Sequence, residues 1–141
     1  SYVYLNFVNG IRKATAGTNR VAAVLWLQGE NDAISGVGNN EYESALKHLV
    51  SNWQSDLRTN LNVFVGQIAY IHQAARDKVD AIRDAQRNVI DNVTFFAGPD
   101  TASISLGDDG IHFTSDAAFA SLADQWCKAI RDSETIYKTL Q

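Results

Sequence analysis

Val21-Ala22-Ala23-Val24-Leu25-Trp26-Leu27 is the stretch that decides the fold. These seven apolar residues, bounded by Arg20 and Gln28, contain no polar alternation. Such a run reads as a central strand of a parallel sheet, buried on both faces. Residues 28–40, rich in Gly and Asn, read as a loop. Beyond them Tyr42, Ala45, Leu46, Leu49, Val50, Trp53 and Leu57 recur at i, i+3 and i+4, the stripe of an amphipathic helix. Residues 63–70 read as a second strand. Residues 76–90 read as a helix with Val79, Ile82, Ala85 or Gln86, and Val89 turned inward. A third strand at 93–97 is expected to stop at Gly98-Pro99, with a loop over 100–113. Ser115 is placed to cap a last helix that buries Ala118, Phe119, Leu122, Trp126 and Ile130. Ahead of the opening run, Tyr4, Val8, Ile11 and Thr15 form a helical face ending near Gly17.

The order is α-β-α-β-α-β-α, which predicts an α/β fold: three-layer α/β/α, a parallel sheet with helices on both faces. A crossover helix normally follows a strand, and the first helix here follows none. We therefore expect the front strands of the sheet to be missing from this chain.

At 141 residues, 45% hydrophobic and 20% charged, the composition is that of one ordinary globular domain, spanning 1–141. No apolar run approaches a bilayer span, so a membrane protein is not expected. Net charge is -4, without a block of Lys or Arg, which argues against nucleic acid as a partner. One cysteine, Cys127, cannot form an internal disulfide and reads as a half-buried packing residue. The chain holds no methionine and no signal-like front end, so we expect a mature product or a portion of a longer protein.

Ligands of open parallel sheets bind beyond the carboxyl ends of the strands. Gln28-Gly29-Glu30-Asn31-Asp32 follows the first strand. Asp108-Asp109-Gly110-Ile111-His112-Phe113 follows the third. Nothing comparable follows the second, where Ile71-His72-Gln73 leads into a helix. Asp109 stands three residues before His112, with a glycine between them that lets the backbone turn. Its carboxylate can fix one imidazole nitrogen and leave the other for proton transfer; Asp108 is the alternative partner. Gln28 and Asn31 offer neutral amide donors of the kind an oxyanion hole uses. Glu30 reads as an anchor for a neighbouring loop or helix end. No H-E-x-x-H or C-x-x-C occurs, so no metal is expected. Gly36-x-Gly38 lacks a phosphate-loop lysine and reads as plain loop. His48 is expected at the surface, and His72 could line the site. Asn92-Val93-Thr94 matches a glycosylation sequon, read as coincidence at the opening of a strand. A flavodoxin-like or receiver domain would need phosphate-cradling or acidic loops at the front edge, and none is present.

The two polar segments together resemble a known family. Val24-Leu25-Trp26-Leu27-Gln28-Gly29-Glu30-Asn31-Asp32-Ala33 is similar to the third block of the SGNH (GDSL-like) hydrolases. It looks most like the W-x-Q-G-E-S-D-A form of their carbohydrate-esterase branch, which includes acetylxylan esterases and sialate O-acetylesterases. Asp109-Gly110-Ile111-His112-Phe113-Thr114 resembles the last block, D-G-x-H-F-[ST]. Arg83-Asp84-Ala85-Gln86 resembles the branch's R-x-A-Q helix. The resemblance covers about residues 21–126.

It implies a serine esterase acting on short acyl esters of carbohydrate, with no cofactor. His112 would be general base and then acid, oriented by Asp109. Gln28, Gly29, Glu30 and Asn31 would form the oxyanion and substrate-binding segment, with Asn31 or Gln28 as the side-chain donor. The resemblance favours an extracellular or periplasmic setting. The family's nucleophilic serine and the glycine of its second block precede these motifs, and neither has a match here. That absence and the absent strands both point to the C-terminal portion of such a domain. Ser35, Ser103 and Ser105 are the in-chain substitutes. The expected partner is the N-terminal part or a second copy of the chain. The other reading is a non-catalytic relic that kept the fold for binding.

Overall fold

The computed structural model describes residues 2–16 and 21–133. Its elements are α1 (Tyr2–Ala14), β1 (Val24–Trp26), α2 (Glu30–Ser35), α3 (Asn39–Leu57), β2 (Val63–Gln67), α4 (Arg76–Asn88), β3 (Phe95–Asp100), a 3-10 turn (Thr101–Ser103) and α5 (Asp116–Asp132). The sheet is parallel in the order β1-β2-β3. Helices lie on both of its faces. Val63 and Val65 face Tyr42, Leu46, Val50 and Trp53 of α3 and Val79, Ile82 and Ala85 of α4, and Val8 of α1 joins that core. Phe64 and Phe96 face the other way, under Trp126, Ala129 and Ile130 of α5. The α/β expectation holds.

The strand buried on both faces is β2, not β1: Val63 and Phe64 are fully buried, whereas Leu25 is 48% exposed. Within the run read as a strand, only Val24–Trp26 pairs. Val24 donates its N–H across to Asn62, so the main-chain groups of Leu25 face outward at an edge. Leu25 lies in one row with Phe64 and Phe96. The cluster under α5 holds those two rings and leaves Leu25 outside it.

Further boundaries differ from the sequence reading, and β2 ends at Gln67 where the strand was expected to run to residue 70. The 28–40 loop contains α2, whose first turn carries Glu30 and Asp32 where the helix dipole favours anions, and which Gly36 closes in a left-handed conformation. β3 starts later and runs through Gly98-Pro99. Pro99 sits where the ladder slips between Val65 and Gln67, on an edge strand whose outer side needs no donor. Asn92 does not open the strand; it lies in an exposed turn in which Asp91 accepts the N–H groups of Val93, Thr94 and Phe95.

In α5 the Ser115 hydroxyl caps as expected, accepting from Ala118 N–H at 3.1 Å. Ala118 is buried and Leu122, Trp126 and Ile130 are half-buried, as expected, and Ala129 joins them. Phe119, however, falls on the flank of the helix, 53% exposed, and Cys127 is exposed rather than half-buried. His48 is exposed, as read.

Candidate active site

One helix ties the three strand ends together. Arg83 and Gln86 of α4 are 4% and 1% exposed. Arg83 donates to the Ile68 carbonyl just past β2 and to both carboxylate oxygens of Asp100, at 2.9 Å, at the end of β3. Gln86 accepts the Ile68 N–H at 3.0 Å and donates to the Gln28 carbonyl, past β1, at 2.9 Å. Tyr42 donates to the same carbonyl at 2.6 Å while Trp26 Nε1 donates to the Tyr42 hydroxyl. Burial pushes the Tyr42 phenol up, so it stays a neutral donor. Burial alone would raise Asp100, but the Ala102 N–H and the Arg83 guanidinium outweigh it and hold the carboxyl below its ordinary range.

The first polar segment hangs on that network. Gly29 is buried with φ 148°, and a Cβ there would come within 2.7 Å of Ile82 Cγ2, so only glycine fits. The Gln28 amide donates to Asp32 at 2.6 Å. Glu30 accepts the Gly29 N–H at 3.0 Å, which is the anchoring contact expected of it. Asn31 is exposed in the first turn of α2, and its side chain makes no hydrogen bond among the described residues. A cavity of about 210 Å³ opens beside Gln28 and Asp32, walled by Trp26, Tyr42 and Leu46. A larger one of about 450 Å³ lies elsewhere, between β3 and α5.

In the second segment Asp109 and His112 meet, with Oδ2 and Nδ1 2.6 Å apart. Asp109 Oδ1 also accepts the main-chain N–H groups of Ile111 and His112, each at 2.9 Å. The His112 backbone N–H, its imidazole and the Ile111 N–H hold the Asp109 carboxyl far below its ordinary 3.8. Asp108 makes no such contact, so Asp109 is the partner. His112 Nε2 is without a hydrogen bond among the described residues, on a side chain that is 74% exposed. A carboxylate depressed in this way supports the turn fully above the ordinary range and loses that support only as pH falls well below it. A carbon-detected titration of Asp109 should show no protonation down to about pH 3, against the ordinary carboxyl range; a midpoint at 3.8 would mean that the turn is open.

The segment after β2 is not the bystander that its sequence suggests. His72 N–H donates to the Gly110 carbonyl, and the Gln73 amide donates to the Asp109 carbonyl, each at 3.0 Å. Gln73 was missed because it belongs to no periodic pattern; His72, read as able to line the site, meets the turn through its main-chain N–H. Tyr42 was hidden in a helical stripe of apolar residues, although it is the one member with a hydroxyl. Ser35, Ser103 and Ser105 are exposed, and none hydrogen-bonds to His112. No hydrogen bond joins Gln28 or Asn31 to the Asp109–His112 pair among the described residues. Among those residues no three His, Cys, Asp or Glu side chains are grouped to hold a metal, and no helix is long and apolar enough to cross a membrane.

No curated protein and no solved structure matches this chain. A family model described as carbohydrate esterase, sialic acid-specific acetylesterase matches residues 1–131. With that match over most of its length, and with the parallel sheet described above, the chain belongs to this carbohydrate-esterase family.

Proposed function

We propose that the chain supplies the acid–base half of a serine esterase that removes O-acetyl or similar short acyl groups from a carbohydrate. The contact between Asp109 Oδ2 and His112 Nδ1, with Nε2 free and exposed, carries the reading. A carboxylate on Nδ1 holds the tautomer in which Nε2 is the base, and stabilises the imidazolium that follows.

In the reaction a serine hydroxyl attacks the ester carbonyl as its proton passes to His112 Nε2. The tetrahedral intermediate collapses when His112 returns that proton to the sugar oxygen, which leaves as an alcohol. Water, deprotonated by the same nitrogen, then releases the acid and restores the serine. Gln28 and Asn31 are the side-chain donors for the oxyanion. Gln28 spends one amide proton on Asp32 and keeps one, while both protons of Asn31 are uncommitted. That none of Ser35, Ser103 and Ser105 bonds to His112 supports a nucleophile on a further segment that docks against this one.

The test is the intact mass of the 141-residue chain after exposure to a fluorophosphonate. No adduct is expected. A single adduct that disappears in His112→Ala would place the nucleophile within the chain and overturn the division of labour. The protein carrying the preceding segment should take up one equivalent; its failure to do so would sink the esterase reading itself.

A further inference from the structure

The turn that carries Asp109 and His112 is held from two sides. From within, Gly107 N–H donates to the His112 carbonyl at 2.7 Å and Gly110 N–H to the Gly107 carbonyl at 2.9 Å. From outside, two successive carbonyls, those of Asp109 and Gly110, are each held at 3.0 Å by the Gln73 amide and the His72 N–H. Gly110 has φ 66°, and a Cβ on it would come within 2.6 Å of His72 Nδ1, so the turn is seated directly on the segment that follows β2.

The 109–110 peptide is tied at both ends: its N–H, that of Gly110, donates to the Gly107 carbonyl, and its carbonyl, that of Asp109, accepts from Gln73. Its plane turns only when both bonds are broken, so the loss of either one loosens it. A flip would carry the Asp109 carbonyl away and twist the residue whose side chain must meet Nδ1. The only side chain that holds this carbonyl among the described residues is Gln73. On the functional reading given above, we propose that Gln73 is a positioning residue: its amide locks the 109–110 peptide and thereby keeps the Asp109 carboxylate on His112 Nδ1.

The measurement is the tautomer of His112 in the full chain, read from imidazole ¹⁵N shifts above neutral pH. A free imidazole prefers its proton on Nε2; one donating to Asp109 carries it on Nδ1. The parent should show mainly the Nδ1–H form. In Gln73→Ala and in Gln73→Glu, which keeps the shape but not the donor, the Nδ1–H to Nε2–H ratio should fall about fivefold, the order of one net hydrogen bond. Gln73→Arg, which restores a donor with sufficient reach, should recover most of it. Gln73 is exposed, so thermal midpoints should stay together across the series. An unchanged ratio in both Gln73→Ala and Gln73→Glu would overturn the positioning role alone. A parent with its proton mainly on Nε2 would overturn the Asp109–His112 pairing, and with it the functional reading.

Discussion

Replacing His112 with alanine, in the protein that carries the nucleophile, should lower kcat for ester hydrolysis by about 10⁴-fold or more, with little change in KM. The size follows from the absence of a stand-in. His48 is exposed on α3, and His72 is pressed against Gly110 with no carboxylate on its ring. Only His112 combines an anchored Nδ1 with a free Nε2. Because the imidazole moves a proton and does not grip the substrate, the loss belongs in kcat. Steady-state release of acetate from an acetylated sugar measures it. A variant that keeps a tenth of the parent rate would remove His112 from the reaction.

Gln86→Leu should cost about 2–3 kcal/mol of stability, a drop of roughly 5–15 °C in the thermal midpoint. Leucine nearly fills the volume, so the penalty is polar. The Ile68 N–H loses its acceptor in a buried site, and the Gln28 carbonyl is left with Tyr42 alone. Gln86→Glu keeps an acceptor for Ile68 and should cost less if its carboxyl takes a proton. Chemical denaturation of the two variants separates the lost acceptor from the lost donor. Equal stability of Gln86→Leu and the parent would mean that the network does not hold the strand ends.

Much of the fold was legible because apolar spacing is a local signal. The inner face of α4 came out where the periodicity placed it, as did the stripe from Tyr42 to Leu57 except for Ala45, which is exposed. What failed was partnership. The Val21 to Leu27 run has the composition of a central strand, but composition cannot count neighbours, and β2 holds that place. Gly98-Pro99 reads as a stop, yet proline disrupts a strand only where its nitrogen should donate, and at the edge it should not. The site divides along the same line. Asp109 and His112 are three residues apart and their contact could be read directly from spacing. Gln73 lies 36 residues from Asp109, and Gln86 lies 58 from Gln28. Contacts of that range leave no trace in one sequence beyond a polar residue where an apolar one was due, as at Gln86.

The placement of Pro99 also bears on assembly. A sheet recruits another strand through a row of free N–H and C=O groups, and β3 breaks its row with a missing donor and a slipped register. At the opposite margin Leu25 still offers both groups, with an apolar side chain beside them. Among the described residues the sheet thus has a valence of one. A strand of the segment that docks against this one would consume that margin, so association by this route stops at one partner and does not grow into fibrils.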